Sequence, residues 1–476
     1  MKPGWHSRRP WFAAGLAGLA ILFAGCATEP PTVDPPTLGI TPEDTYAAAP
    51  IDAPRPAPED LRWWHRFDDP ALAVWVERAL AGHPDIAIAH ERVRQARALL
   101  DTAKAQRSPL VTTQLRAALG SRGAGARGGD PRASVTLDWD SDLWGGLRQA
   151  ERSAAAGVLR SAHLEQASRL AVAGLAARAF VEWREALADL SALADGLALQ
   201  RDVLRVARIR VEAGLSPRLD VDRAQAEAAT VEAEVARAGI RARQAYTALK
   251  VLAGERPTVA AGPSPAPNPP ARQDMEDDAK APRVPGLRGE LPVNRPADLL
   301  RLRPDLRAAE EELVAAAADV GVARAAMLPR LALQGTIGLA SGSGLFDIVT
   351  GSIAALLDAT LFDAGERRAG IELAESRARE AAEIYRRTLL QALGQVESAL
   401  FASYGTASEI EALGRGIDAA HASLEQARSL YAAGLSGLLD VLDARRTTLE
   451  QHRRLLRARG DAARQAIAVF EAMGLI

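Results

Sequence analysis

The sequence predicts a mainly α-helical chain with four strand-like runs, built as two tandem structural repeats. Three observations carry this prediction. Ala207–Ala224 reads ARIRVEAGLSPRLDVDRA and Ala427–Ala444 reads ARSLYAAGLSGLLDVLDA, sharing A-G-L-S-x-x-L-D-V. The spacing that relates them also relates Pro84-Asp85 to Pro304-Asp305 and Pro109 to Pro329, the mark of a repeated structural unit. Second, Leu147–Ala213 and Glu366–Ala433 contain no proline, which allows two very long helices. Third, each of these runs follows a pair of segments in which apolar and polar residues alternate, the period of a half-buried strand.

Taken in order, residues 1–25 read as a lipoprotein signal peptide. Lys2, Arg8 and Arg9 form a basic start, and Trp11–Ala24 is an apolar run too short for an ordinary membrane span. The run ends Leu22-Phe23-Ala24-Gly25 before Cys26, the only cysteine, so no intramolecular disulfide can form. Cys26 is the expected lipid anchor, carrying diacylglyceryl and acyl chains after cleavage. Each buried CH₂ adds about 0.8 kcal/mol, and two chains hold stably where one does not. Ala27 rather than Asp follows, the pattern of lipoproteins sorted to the outer membrane. Residues 26–60 are Pro-rich and read as an extended tether.

The first repeat is expected over 61–254. Trp63, Trp64 and Phe67 precede a helix start at Asp69-Pro70, with Leu72, Val76 and Leu80 on one face. His83-Pro84-Asp85 opens the next helix, which Pro109 stops. A β-hairpin is expected over 109–142. Val111, Thr113, Leu115, Ala117 and Leu119 alternate with Thr112, Gln114 and Arg116, Gly120–Gly129 reads as a loop, and Ala133, Val135, Leu137 and Trp139 alternate with Ser134, Thr136, Asp138 and Asp140. The long helix is placed at 147–213 and its return helix at 219–253. At about 1.5 Å per residue the long helix would reach roughly 100 Å. Leu193, Leu197, Leu204, Ala207 and Val211 form a heptad-like seam, matched by Leu413, Ile417, Leu424, Ala427 and Tyr431. A Pro-rich connector occupies 255–296. The second repeat, 297–476, holds a helix, a hairpin over 329–362, a long helix over 366–433 and a return helix over 438–473. Gly214 and Gly434 are read as the residues that end the long helices.

The alternating strands have the length of tilted bilayer-crossing strands, although soluble hairpins packed on helices would show the same pattern. Trp139, Trp144, Phe346 and Phe362 sit near strand ends, where an aromatic girdle would lie. Four amphipathic strands cannot close a barrel, and an open edge in lipid leaves backbone groups unpaired. Strands in a membrane therefore require several chains to share one barrel: two chains give eight strands and three give twelve. Composition points away from nucleic acid, with a formal charge of −2. No catalytic constellation is visible: the seven histidines are scattered, and there is no HExxH, phosphate loop or cysteine-based metal site. The chain reads as a non-enzyme, with no metal and no cofactor beyond the lipid on Cys26.

The sequence resembles the TolC-like outer-membrane efflux channels, in the lipoprotein (NodT-like) branch that works with resistance–nodulation–division pumps. The carrying residues are the Cys26 region, LRWWHRFDDPAL, RPADLLRLRPDLRAAE, Pro109 and Pro329, and the paired A-G-L-S-x-x-L-D-V turns. The resemblance implies a homotrimer with a shared twelve-stranded transmembrane β-barrel continuous with a twelve-helix periplasmic α-barrel. It also implies an equatorial region, a body in the periplasm, and docking to a periplasmic adaptor and an inner-membrane pump. On that basis the chain is expected to be a passive exit duct for drugs and small toxic molecules, opened by the adaptor.

The resemblance places Gly214, Leu215, Ser216, Gly434, Leu435 and Ser436 in contact with the adaptor; the plainer reading is helix stops followed by Ser or Asp caps. It places Asp440 and Asp443 at the aperture. These stand at i and i+3 on one helix face, so three chains would present six carboxylates around one opening and favour cations. As first-turn residues they also favour the positive end of the helix dipole. Asp220 and Tyr431 match family positions that bond across the tip; the arginine of that latch is Ser436 here. Two rivals stand beside the efflux reading: the same channel in type I protein secretion, and a coiled-coil tether lipoprotein with no pore.

Overall fold

The structure is a computed structural model that describes residues 36, 38–41, 44–50, 53–116, 119–122, 126–129, 132–256, 282–340 and 348–476. The signal peptide, Cys26 and Phe346 lie outside these residues, as does most of the connector. The chain forms two compact units: Glu91–Ala162 with Ala308–Arg387, and Leu38–His90 with His163–Arg307 and Thr388–Ile476. Each unit takes corresponding pieces of both repeats, so packing groups equivalent elements rather than separating the repeats.

The first unit is organised on an antiparallel sheet of β1 (Leu110–Arg116), β4 (Arg132–Asp140), β5 (Arg330–Ala340) and β6 (Ile348–Asp358), in the order β1-β4-β5-β6. Its central pairing, β4 with β5, joins the two repeats. Register sorts the two faces. Val111, Leu137, Gly335 and Ile353 stand in one row across the strands, and Thr112, Thr136, Thr336 and Ser352 in the next. Because alternate side chains point to opposite faces, one face is apolar and the other polar. The polar face is cross-linked: Thr112 and Thr136 hydroxyls meet at 2.5 Å, Gln334 Nε2 donates to Asp138 at 2.8 Å, and Arg330 Nε to Asp140 at 2.6 Å.

Gly120–Gly129, expected as a loop, instead contains a second small ladder. β2 (Leu119–Arg122) pairs with β3 (Ala126–Gly129). Glycine weakens a strand only through its entropy and missing side chain, and backbone pairing needs neither.

Also in this unit are most of α2 (Pro84–Ala105) and α6 (Pro304–Ala325), with the first turns of α3 (Gly146–Glu212) and α7 (Glu366–Ala432). Asp142, at a φ of +46°, caps α3 by accepting from the N–H groups of Leu147 at 2.7 Å and Arg148 at 2.9 Å. Trp139 Nε1 donates to the Arg107 carbonyl and Trp144 Nε1 to that of Pro329, tying the indoles to the segments just after α2 and α6. Phe362 is exposed.

The second unit is helical: α1 (Pro70–Gly82), the rest of α3 and α7, α4 (Arg218–Leu252), the short α5 (Leu299–Leu302) and α8 (Leu438–Ala472). Asp69 caps α1 by accepting from the Ala71 N–H, and Pro70 fills the first position. A 3₁₀ segment, Pro58–Arg66, seats Trp63 flat against Phe470 of α8, with ring centroids 5.5 Å apart. Trp75 of α1 and Trp183 of α3 both pack on Tyr246 of α4. Gly82 and Gly254 let the ends of α1 and α4 meet, since a Cβ on Gly82 would stand 2.3 Å from the Ala253 carbonyl oxygen. Charged pairs link the long helices: Arg453 to Asp189 at 2.6 Å and to Glu234 at 2.8 Å, and Arg464 to Glu185 at 2.8 Å. Part of the segment read as a free tether is anchored here: Tyr46 is buried, and the Ala48 N–H donates to Glu397 of α7 at 3.0 Å. Among the described residues no helix is long and apolar enough to cross a membrane.

Candidate functional site: the paired helical turns

The turns joining α3 to α4 and α7 to α8 share one backbone design. Gly214 and Gly434 adopt φ of +69° and +75°, a conformation costly for residues with a Cβ. In the first turn the Leu215 N–H reaches the Arg210 carbonyl at 2.8 Å and the Gly214 N–H reaches Val211 at 3.0 Å. In the second, Leu435 reaches Leu430 at 2.8 Å and Gly434 reaches Tyr431 at 3.0 Å. This pair of bonds is the Schellman arrangement, which satisfies the last helical carbonyls.

That arrangement ordinarily folds the residue after glycine back onto the helix. Here Leu215 and Leu435 are 69% and 76% exposed, and Leu219 and Leu439 are exposed beside them. Each turn therefore presents two leucines outward. Neither serine is a helix cap: the N-cap positions of α4 and α8 are Pro217 and Gly437, with no side-chain cap bond. Ser216 Oγ accepts from Arg210 Nε at 3.3 Å, and Ser436 Oγ is buried without a partner among the described residues.

Below the turns, Ala207, Ala224, Leu438 and Leu442 form a buried cluster with Val203, Leu204, Val221 and Tyr431 packed against it. Arg210 spans the two turns. Its guanidinium lies over the Tyr431 ring, 4.7 Å from the centroid, and its Nη1 donates to the Tyr431 carbonyl at 3.3 Å. The Tyr431 hydroxyl is buried with no hydrogen-bond partner among the described residues, so within the chain it is not bonded to Asp220. Asp220 is half-buried, while Asp440 and Asp443 are exposed. Asp443 pairs with Arg446 at 2.7 Å along its own helix.

Two arginines of this region escaped the sequence reading. Arg210 stands where the repeat has Leu430, and Arg445 where it has Gln225. A charge that breaks an internal repeat is the signal that could have found them. No group of three or more side chains able to hold a metal occurs among the described residues.

The family model for outer membrane efflux proteins matches residues 75–255 and 296–475. The chain belongs to that family. It is 29% identical over 478 residues to the pyoverdine export outer membrane protein OpmQ of Pseudomonas putida, covering 96% of each chain. It is 25% identical over 482 residues to the probable outer membrane lipoprotein SilC of Salmonella typhimurium, covering 97% of this chain and 99% of that one. The solved structure of the outer-membrane channel OprN matches with a TM-score of 0.82 at 28% identity, over 95% of this chain and 99% of that one. This outer membrane efflux protein is thus an exit duct located in the outer membrane, and its family works as the outer component of systems that also use an adaptor and a pump. Its family consists of transport conduits rather than enzymes.

Proposed function

We propose that three copies of this chain share one twelve-stranded β-barrel and continue it as a twelve-helix periplasmic α-barrel, forming a passive path for drugs and small toxic molecules. The observation that carries this reading is the sheet. Its outer strands, β1 and β6, have no further strand partner among the described residues, and its two faces are sorted into apolar and polar rows. An amphipathic sheet with open edges is stable in lipid only when neighbouring copies close it.

In this reading residues 61–254 and 297–476 are the duplicated halves, and 255–296 with the terminal segments forms the equatorial region. Residues 1–25 are removed, and lipid on Cys26 holds the segment 26–60 to the membrane. The exposed Leu215 and Leu435, with Gly214, Ser216, Gly434 and Ser436, receive the adaptor's helical hairpin. The outward leucines support this, since docking would bury them. Asp440 and Asp443 line the aperture, and Tyr431 with Asp220 belongs to the network that holds it shut. Arg210, which lies over the Tyr431 ring and donates to its carbonyl, supplies a guanidinium to that network.

The test is the mass of detergent-extracted protein together with conductance in planar bilayers. A trimer that conducts ions supports the shared barrel. A monomer that never conducts would leave the hairpins soluble and favour a tether.

A further inference from the structure

A cavity of about 330 Å³ lies beneath the paired turns, lined by Asp202, Arg210, Arg428, Tyr431, Leu438 and Arg445 among others. Three cations thus face one carboxylate. Asp202 is shared with Arg205 at 3.4 Å, and Arg428 pairs with Glu425 at 2.8 Å. Arg445 is only 8% exposed. Its Nη1 donates to the Leu199 carbonyl at 2.5 Å, while its Nη2 is buried with no hydrogen-bond partner among the described residues.

Burial pulls the Arg445 guanidinium down to about 10; repulsion from Arg428 adds to this and Asp202 opposes it. It remains charged at neutral pH. A buried guanidinium N–H without an acceptor is unfavourable, and the planar fork fits a carboxylate or phosphate. The Tyr431 hydroxyl, another cavity-lining donor, is likewise buried and unpartnered. Arg445 also lines an adjoining cavity of about 260 Å³, where the Gln200 amide nitrogen is buried without a partner. Three unsatisfied donors on three helices thus line the two cavities; the carboxylates Asp195, Glu227 and Glu425 lie in the adjoining one, while the cavity beneath the turns has only Asp202 against its three arginines.

We propose that this cavity binds a small oxyanion, a carboxylate or phosphate group, with Arg445 as the principal donor and the Tyr431 hydroxyl and Arg210 as the others. The bound anion ties α3 through Arg210, α7 through Tyr431 and α8 through Arg445, and so fixes the spacing of the two turns. This goes beyond the transport reading, since the ligand is a structural or regulatory anion rather than cargo.

The test is calorimetric titration of the detergent-purified full-length chain with inorganic phosphate and, separately, with succinate, at an ionic strength held constant with chloride. One saturable site per chain is expected. Arg445→Gln should weaken it about tenfold or more, and Tyr431→Phe, which removes a single oxygen, about fivefold. Saturation by phosphate alone assigns an inorganic ligand, and saturation by succinate alone a carboxylate; either supports the site. Absence of saturable binding by both anions, or affinity unchanged in both variants, overturns it.

Discussion

Ile353 offers the most discriminating substitution in the sheet. It is the central residue of β6, stands in the apolar row with Val111, Leu137 and Gly335, and is 92% exposed in the single chain. Had the sheet faced water, arginine here would change stability by no more than about 0.5 kcal/mol, the usual range for open surface sites. In a barrel whose apolar face meets hydrocarbon, arginine at mid-strand lies near the bilayer centre and costs about 2–4 kcal/mol. That is roughly thirty- to several-hundred-fold in the folding equilibrium. Ser352→Arg, one residue away in the hydroxyl row with Thr112, Thr136 and Thr336, should be nearly neutral. Urea titration of protein refolded into phospholipid vesicles, followed by tryptophan fluorescence, measures both variants. Equal, small effects at the two positions would refute a lipid-facing row, and a larger effect at Ser352 would invert the assignment of faces.

Four further outcomes are expected. Asp440→Asn combined with Asp443→Asn should lower cation selectivity in bilayer reversal-potential measurements; unchanged selectivity removes the acidic aperture. Gly174→Ala should push the Glu471 carboxylate off Arg178, because the new Cβ would fall on it, and the lost ion pair should cancel the usual helix gain of about 1 kcal/mol. Gly157→Ala on the same helix, where nothing lies within 4 Å, should instead stabilise by up to about 1 kcal/mol in the same denaturant assay. Burial raises the Glu471 carboxyl above the ordinary carboxylate value of 4.5, outweighing its ion pair with Arg178. The folded state then holds the extra proton, so stability from this group grows as pH falls from above its folded pKa toward 4.5. Melting curves of wild type and Glu471→Gln should therefore diverge in favour of wild type on acidification; a constant difference rules the linkage out.

What could be seen in the residues beforehand was whatever rests on local pattern. Long proline-free stretches closed by Gly214 and Gly434 reveal helices because both signals act through the backbone alone. The rows of the sheet show as alternation because Val135, Leu137 and Trp139 must share a face. Other features depend on partners distant in sequence. The β4–β5 register and the β2–β3 ladder were hidden, the first because it joins the repeats and the second because Gly120, Gly128 and Gly129 read locally as turn. Ser216 and Ser436 have the composition of caps, yet Pro217 and Gly437 take that position. Arg445 was invisible as a buried cation because arginine is ordinarily at the surface, and only tertiary packing puts it inside. Tyr46 gave no warning of its burial, standing alone in a segment whose composition describes a linker.

The seat of Trp63 has a consequence for how the chain is made. Phe470, Met473 and Leu475 are all essentially inaccessible to solvent, and Phe470 stacks on an indole that lies more than four hundred residues earlier in the sequence. The helical unit cannot complete its core until both Trp63 and Phe470 have been made. Each face of this stack is supplied from a different half of the duplicated chain, so loss of the last turn of α8 would bare the Trp63 ring and leave the core open.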